Sequence, residues 1–297
     1  MENCRKDKSP IANRQSPTPK VCLTIAGLDP SGGAGIIADI KTFTAFGCFA
    51  TSAITSITFQ NTMGVFGAAH QTAEIVRRQI APVIEDYEVA ALKTGMLPTR
   101  EIIEETARIV RENKLKNFVV DPVVRSTSGF DLITDAALQS LVKNLFPLAD
   151  LVTPNLPEAE RITNSKIENE DDIKRAAQTM RNLGAKNVLI KGGHLSNAEC
   201  GMRNAEWKGN KDRKPKTVER KAIDYLFIGD HLHIYEADFI ETNRTHGTGC
   251  ALAAAITANL ALGKNLIEAV EAAKKFVTQA IRAAPNLGKG NSPINLS

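Results

Sequence analysis

The chain has 297 residues, 43% hydrophobic and 24% charged, enough to bury a large core as one big α/β domain or two smaller ones. Its net charge of +4 is too small to point to nucleic acid, and no apolar run is long enough to span a bilayer. Cys4, Cys22, Cys48, Cys200 and Cys250 form no C-x-x-C pair and no even framework, which indicates a reduced, intracellular, cytoplasmic protein.

Residues 1–20 carry Arg5, Lys6, Lys8, Arg14 and three prolines with no apolar core, so they read as a disordered leader and not as a secretory signal. Order begins with a buried strand over 21–27, which empties into the Gly-rich loop Leu28 to Gly35 and then a helix over 36–46. That loop has neither the G-x-G-x-x-G spacing nor the Gly-Lys-Ser/Thr ending of the standard nucleotide motifs. A Thr- and Ile-rich stretch over 49–59 predicts strand and leads to Gln60-Asn61-Thr62. A helix over 72–84, a strand over 90–96 and a helix opened by Pro98 and running to 113 follow. Next come a strand over 118–120 ending at Asp121-Pro122-Val123, a helix over 135–144, and an apolar run over 149–153 ending at Pro154-Asn155. Two short helices, the second over 171–183, precede a strand over 187–190 that ends at Lys191-Gly192-Gly193-His194.

This alternation predicts a mainly parallel sheet with helices on both faces, a three-layer α/β/α arrangement. Ligands of such sheets bind beyond the carboxyl ends of the strands. Asp29, Met96, Asp121, Asn155 and Lys191 each fall just past a predicted strand end. A basic loop at about 198–220 lacks the aromatic residues of a nucleic-acid surface and reads as solvated. The chain then resumes with a hairpin over 225–228 and 232–235 and two helices over 250–262 and 266–283. With no repeat and no domain-scale linker, residues 21–297 read as a single domain with the basic loop as an insertion.

The junction Arg244-Thr245-His246-Gly247-Thr248-Gly249-Cys250 is a Gly-rich turn running straight into a helix. The unpaired N–H groups of a first helical turn, with the helix dipole behind them, favour an anion, most often a phosphate. The same field is expected to lower the pKa of the Cys250 thiol.

Taken together, these motifs resemble the ribokinase-like small-molecule kinases and, among them, the hydroxymethylpyrimidine/phosphomethylpyrimidine kinases of thiamine biosynthesis. The matching pieces are Ala26 to Gly35, Gln60 to Thr62, Lys93 to Met96, Asp121 to Val123, Thr153 to Glu158, Lys191 to His194 and Thr245 to Cys250. The resemblance implies ATP and Mg²⁺ as cofactors, a small-molecule pyrimidine as substrate and a homodimer, with no nucleic acid or membrane as partner. The amides of Gly247, Thr248, Gly249 and Cys250 are expected to form an anion hole, and Lys191 to add a point charge on a phosphate oxygen. Asn155 and Glu158 match the family's N-x-x-E metal motif, although the same spacing also makes a capping box. Asp121 is a further candidate for the metal region.

Cys250 stands where most ribokinase relatives carry an Asp base, and its expected role is base or positioning group. The Gln60 carboxamide, one donor beside one acceptor, matches the ring nitrogen and exocyclic amine of an aminopyrimidine. Its structural alternative is a loop residue bonded to backbone. Asp29 is expected to hold the substrate hydroxymethyl, Met96 to cover the ring, and Gly27 and Gly33 to permit close backbone approach. Arg244, Arg125, Thr127 and Ala251 depart from the family pattern, and Arg244 is expected to compensate in holding a monophosphate. The alternatives are pyridoxal/pyridoxine kinase on the same fold and a non-catalytic pyrimidine-binding protein.

Overall fold

The computed structural model describes residues 18–126, 129–192 and 220–296. The first βα unit is β1 (Val21–Leu28) and α1 (Gly35–Ala45). The hairpin β2 (Phe49–Asn61) and β3 (Gly64–His70) follows, then α2 (Ala73–Asp86), β4 (Val89–Thr94) and α3 (Arg100–Glu112). After them come β5 (Phe118–Val120), α4 (Asp135–Leu145), β6 (Leu151–Val152), α5 (Leu156–Thr163), α6 (Glu170–Asn182) and β7 (Asn187–Lys191). The chain closes with β8 (Lys221–Ile228), β9 (His231–Asp238), α7 (Thr248–Ala261) and α8 (Leu266–Arg282).

The nine strands form one sheet in the order β3-β2-β1-β4-β5-β6-β7-β8-β9. β2, β1, β4, β5, β6 and β7 run parallel, with antiparallel hairpins at both edges. One hydrophobic cluster gathers Val76, Ile103, Leu141, Ala159 and Ile173 from α2 to α6 on one face. A second gathers Ala38, Ala255 and Ala273 from α1, α7 and α8 on the other. Both faces of the parallel strands are therefore covered, as continuous apolar strands such as Phe118-Val119-Val120 require.

The hairpin β8–β9 is longer than the expected 225–228 and 232–235, and the β2–β3 region also differs from the sequence expectation. Gln60 and Asn61 belong to β2, and β3 was not expected at all. The run Gly64-Val65-Phe66-Gly67-Ala68-Ala69-His70 has two glycines, and none of its residues is fully buried. An edge strand held by pairing to one neighbour leaves little periodic signal. The basic loop of about 198–220, apart from Arg220, and residues 1–17 of the leader lie outside the described residues. No helix among the described residues is long and apolar enough to cross a membrane.

The helix starts divide into two groups. α2, α3 and α4 are capped by Thr72, Thr99 and Thr134, and α5, α6 and α8 by the capping boxes of Asn155, Asn169 and Asn265. α1 and α7 begin at Ala34 and Gly247 with no side-chain cap. These two starts leave amide donors for something other than their own side chains.

Candidate active site

Because β1, β4, β5, β6 and β7 are parallel, Asp29, Met96, Asp121, Asn155 and Lys191 emerge on one edge of the sheet. The uncapped start of α7 meets that edge. Gly247 holds φ at 88°, and a Cβ there would lie 1.8 Å from the Gly33 carbonyl oxygen. A Cβ on Gly33 would lie 2.3 Å from the His246 ring. Glycine is required at both positions because the two loops pass back to back.

The phosphate-type side is built around Lys191. A Cβ added to Gly249 would lie 3.3 Å from Lys191 Nζ, so the ammonium rests against the first turn of α7. It donates to Asp121 Oδ1 at 2.9 Å and lies 3.9 Å from Glu158 Oε2. Lys191 is thus no solvated strand-end lysine, since its side chain is only 13% exposed. Burial pulls its pKa down, but the Asp121 and Glu158 carboxylates pull harder, and the net shift is upward. Asp121 also accepts from Thr153 Oγ1 at 3.0 Å.

Asn155 and Glu158 form the capping box of α5: Asn155 Oδ1 accepts from Glu158 N and Glu158 Oε2 from Asn155 N, both at 2.8 Å. Burial pushes the Glu158 carboxyl up to about 7, against the pull of Lys191. The backbone of Asn155 pairs as a parallel bridge with that of Lys191, which sets the cap beside the end of β7.

The expected four-amide hole is reduced by one. Thr248 N–H is bonded to the Thr245 carbonyl at 3.2 Å. The N–H groups of Gly247, Gly249 and Cys250 have no protein acceptor among the described residues.

Cys250 requires a larger correction. Its thiol is half-buried, and desolvation pushes its pKa up to about 11, with Lys93 and a hydrogen bond from the Gly35 backbone opposing. The expected lowering at a helix start is therefore overridden by burial, and the thiol is neutral near pH 7.

The ring-type side is built around Asp29. Asp29 Oδ1 accepts from Ser31 N at 2.8 Å and Ser31 Oγ at 2.7 Å. Oδ2 accepts from Ala34 N at 2.8 Å and is paired with His246 Nε2 at 2.8 Å. Each oxygen accepts two bonds here, so the carboxylate shapes its loop and holds His246. Burial raises its pKa, the bonds from His246 and Ser31 lower it, and the bonds win. Gln60 is different: it follows a bulge at Phe59/Gln60, and its carboxamide bonds to no backbone group among the described residues. Met96 is 7% exposed, with its sulfur where a Gly27 Cβ would be 3.0 Å away.

Comparison with known proteins gives this edge a family. A family model described as phosphomethylpyrimidine kinase matches residues 29–295. The chain belongs to that family. It is 39% identical over 278 residues to a hydroxymethylpyrimidine/phosphomethylpyrimidine kinase of Staphylococcus aureus, covering 93% of each chain. Among solved structures, phosphomethylpyrimidine kinase from Clostridium difficile 630 is 42% identical with a TM-score of 0.71, covering 88% of this chain and 99% of that one. An ADP complex of Bacillus subtilis pyridoxal kinase is 35% identical with a TM-score of 0.80, covering 94% and 98%.

Within this kinase, three features escaped sequence reasoning. Lys93 and Asp39 form a wholly buried ion pair, with Nζ 2.9 Å from both carboxylate oxygens and Thr24 Oγ1 donating to Oδ2 at 2.6 Å. A lysine inside the apolar strand Val89-Ala90-Ala91-Leu92 was the only available signal. His246 stands four residues before Cys250, but its partner Asp29 lies 217 positions away. Thr62 is gripped by residues 289–291, far along the chain. Of the departures, Arg244 donates to the Ala284 carbonyl at 3.1 Å and Arg125 pairs with Asp131 at 2.9 Å. Thr127 lies outside the described residues.

Proposed function

We propose that this kinase transfers the γ-phosphoryl group of ATP to 4-amino-5-hydroxymethyl-2-methylpyrimidine, and then to the resulting monophosphate to give the diphosphate. The observation that carries the reading is Lys191, held between Asp121 and Glu158 against the uncapped first turn of α7. Phosphoryl transfer depends mainly on positioning and charge stabilisation, and a cation beside unoccupied helix amides supplies both. The substrate hydroxyl oxygen forms the new P–O bond as the bond to ADP breaks, and the hydroxyl proton leaves to a phosphate oxygen and then to solvent.

Cys250, protonated at rest, serves in this reading to orient the hydroxyl, since a loose transition state asks little of a base. Gln60 reads the ring edge, Met96 covers its face, and Gly27 and Gly33 keep the loop close to the ligand. Asp121 and Glu158, with Asn155, offer hard oxygens for Mg²⁺, whose contribution is to neutralise triphosphate charge. Among the described residues no group of three or more His, Cys, Asp or Glu is placed to hold a metal alone. Mg²⁺ commonly keeps several waters and takes substrate phosphate oxygens beside one or two carboxylates. A cytoplasmic homodimer, with residues 21–297 as one kinase domain, completes the proposal.

A second reading, pyridoxal kinase, is favoured by the TM-score of 0.80 to the Bacillus subtilis enzyme. Competition in one vessel separates them. The pyrimidine is expected to be consumed first from an equimolar mixture, because pyridoxal lacks the amine that Gln60 pairs with. Prior consumption of pyridoxal would make the second reading the correct one.

A further inference from the structure

The loop between β2 and β3 stands at the edge of the sheet, with Phe59, Met63 and Phe66 exposed around it. Its support comes from the segment after α8. Thr62 Oγ1 accepts from Lys289 N at 3.1 Å and from Gly290 N at 3.2 Å, and Thr62 O accepts from Asn291 N at 2.8 Å. The approach leaves no room for side chains: a Cβ on Gly290 would lie 2.1 Å from the Thr62 oxygen, and one on Gly288 2.2 Å from its hydroxyl.

One and three residues further on, the same segment grips the start of the phosphate loop. His246 N donates to the Ser292 carbonyl at 3.2 Å, and Ile294 N donates to the His246 carbonyl at 3.4 Å. The segment is itself rigid. Ser292 Oγ donates to the Pro285 carbonyl at 2.5 Å and accepts from Leu287 N at 3.0 Å. Ile294 and Leu296 are buried in the cluster formed with α7 and α8. Thr62 opens the turn directly after β2, two residues past Gln60, whose backbone pairs with Val65 of β3. A clamp at Thr62 therefore anchors the strand end that carries Gln60.

We propose that Thr62 is a positioning residue for the heteroaromatic substrate: through residues 287–294 it registers the Gln60 strand end against His246 and the phosphate loop. The inference rests on the kinase reading above for the identity of the ring. The strap explains why two loops distant in sequence form one site. Gln60 is joined to His246 by a stiff bridge, and His246 in turn holds Asp29.

The test is Thr62→Val, which keeps the shape and removes the acceptor. Binding of hydroxymethylpyrimidine, pyridoxal and ADP is measured by calorimetry, together with amide hydrogen exchange. The ring that wild type binds is expected to bind about tenfold more weakly, a loss of about 1.4 kcal/mol, with ADP affinity changed less than about twofold. Exchange of the His246 amide is expected to quicken, because its acceptor Ser292 sits on the loosened segment. Gly290→Ala, which drives a Cβ onto the Thr62 carbonyl, is expected to give the same pattern. Unchanged ring affinity in both variants would overturn the proposal and leave Thr62 a local clip. An unchanged His246 amide would equally overturn the coupling, whatever ring is bound. If wild type binds pyridoxal and not the pyrimidine, the substrate reading fails, and Thr62 is judged on its pyridoxal affinity.

Discussion

The two sides of the candidate site handle charge in opposite ways. Around Lys191, one ammonium is shared by two buried carboxylates, and burial leaves Glu158 close to half-protonated near neutrality. An arriving phosphate can compete for that cation, since Asp121 and Glu158 do not satisfy all of its donors. Around Asp29, four donors saturate a single carboxylate and nothing is left over. The ammonium of Lys191 is therefore open to a further partner, while the Asp29 oxygens are all engaged within the protein. On the ring side the unengaged polar group is Gln60.

The largest effect is expected at Lys191. Lys191→Met should lower kcat by about 10²–10³, the cost of removing one preorganised electrostatic partner of the transition state. A loss under about threefold in steady-state kinetics would mean that the phosphate side does not depend on this cation. Asp29→Asn should behave differently. It weakens the hold on His246 and the 29–34 loop, so thermal midpoint and substrate KM should move together, with kcat reduced less than about tenfold. A collapse of kcat with an unchanged thermal midpoint would instead put Asp29 in direct contact with the reacting groups.

The smallest effect is a pH dependence. The Glu158 carboxyl is raised in the folded protein from its ordinary value of 4.5 to about 7. The folded state thus binds more protons than the unfolded state between those values. Its contribution to stability is full below about 4.5 and is lost as pH rises toward about 7. Glu158→Gln, neutral throughout and still able to accept from Asn155 N, should remove this slope. Melting curves of wild type and variant should diverge between pH 5 and 7.5, with wild type falling relative to the variant. Parallel curves would show that Lys191 keeps Glu158 ionised throughout.

Much of this was legible in the sequence. Alternating strands and helices ending in Asp29, Met96, Asp121, Asn155 and Lys191 specify a parallel sheet with these residues on one edge. The Asn155/Glu158 spacing specifies a capping box, and the box is present. What stayed hidden depends on burial and long-range contact. Whether a helix start lowers or raises a thiol pKa turns on desolvation, and at Cys250 desolvation dominates. The saturation of Asp29 needs His246 from the far end of the chain, and the Lys93–Asp39 pair needs α1 folded back on β1, the neighbour of β4. β3 was hidden because an edge strand rich in Gly and Ala shows no alternation.

The most direct measurement is phosphorus NMR of wild-type protein incubated with ATP, Mg²⁺ and, in separate samples, hydroxymethylpyrimidine, its monophosphate and pyridoxal. The account predicts a monophosphate ester from the first sample, a diphosphate from the second and slow conversion of the third. Unchanged ATP in all three, despite tight binding of the pyrimidine, would contradict it and make this edge a binding site without transfer.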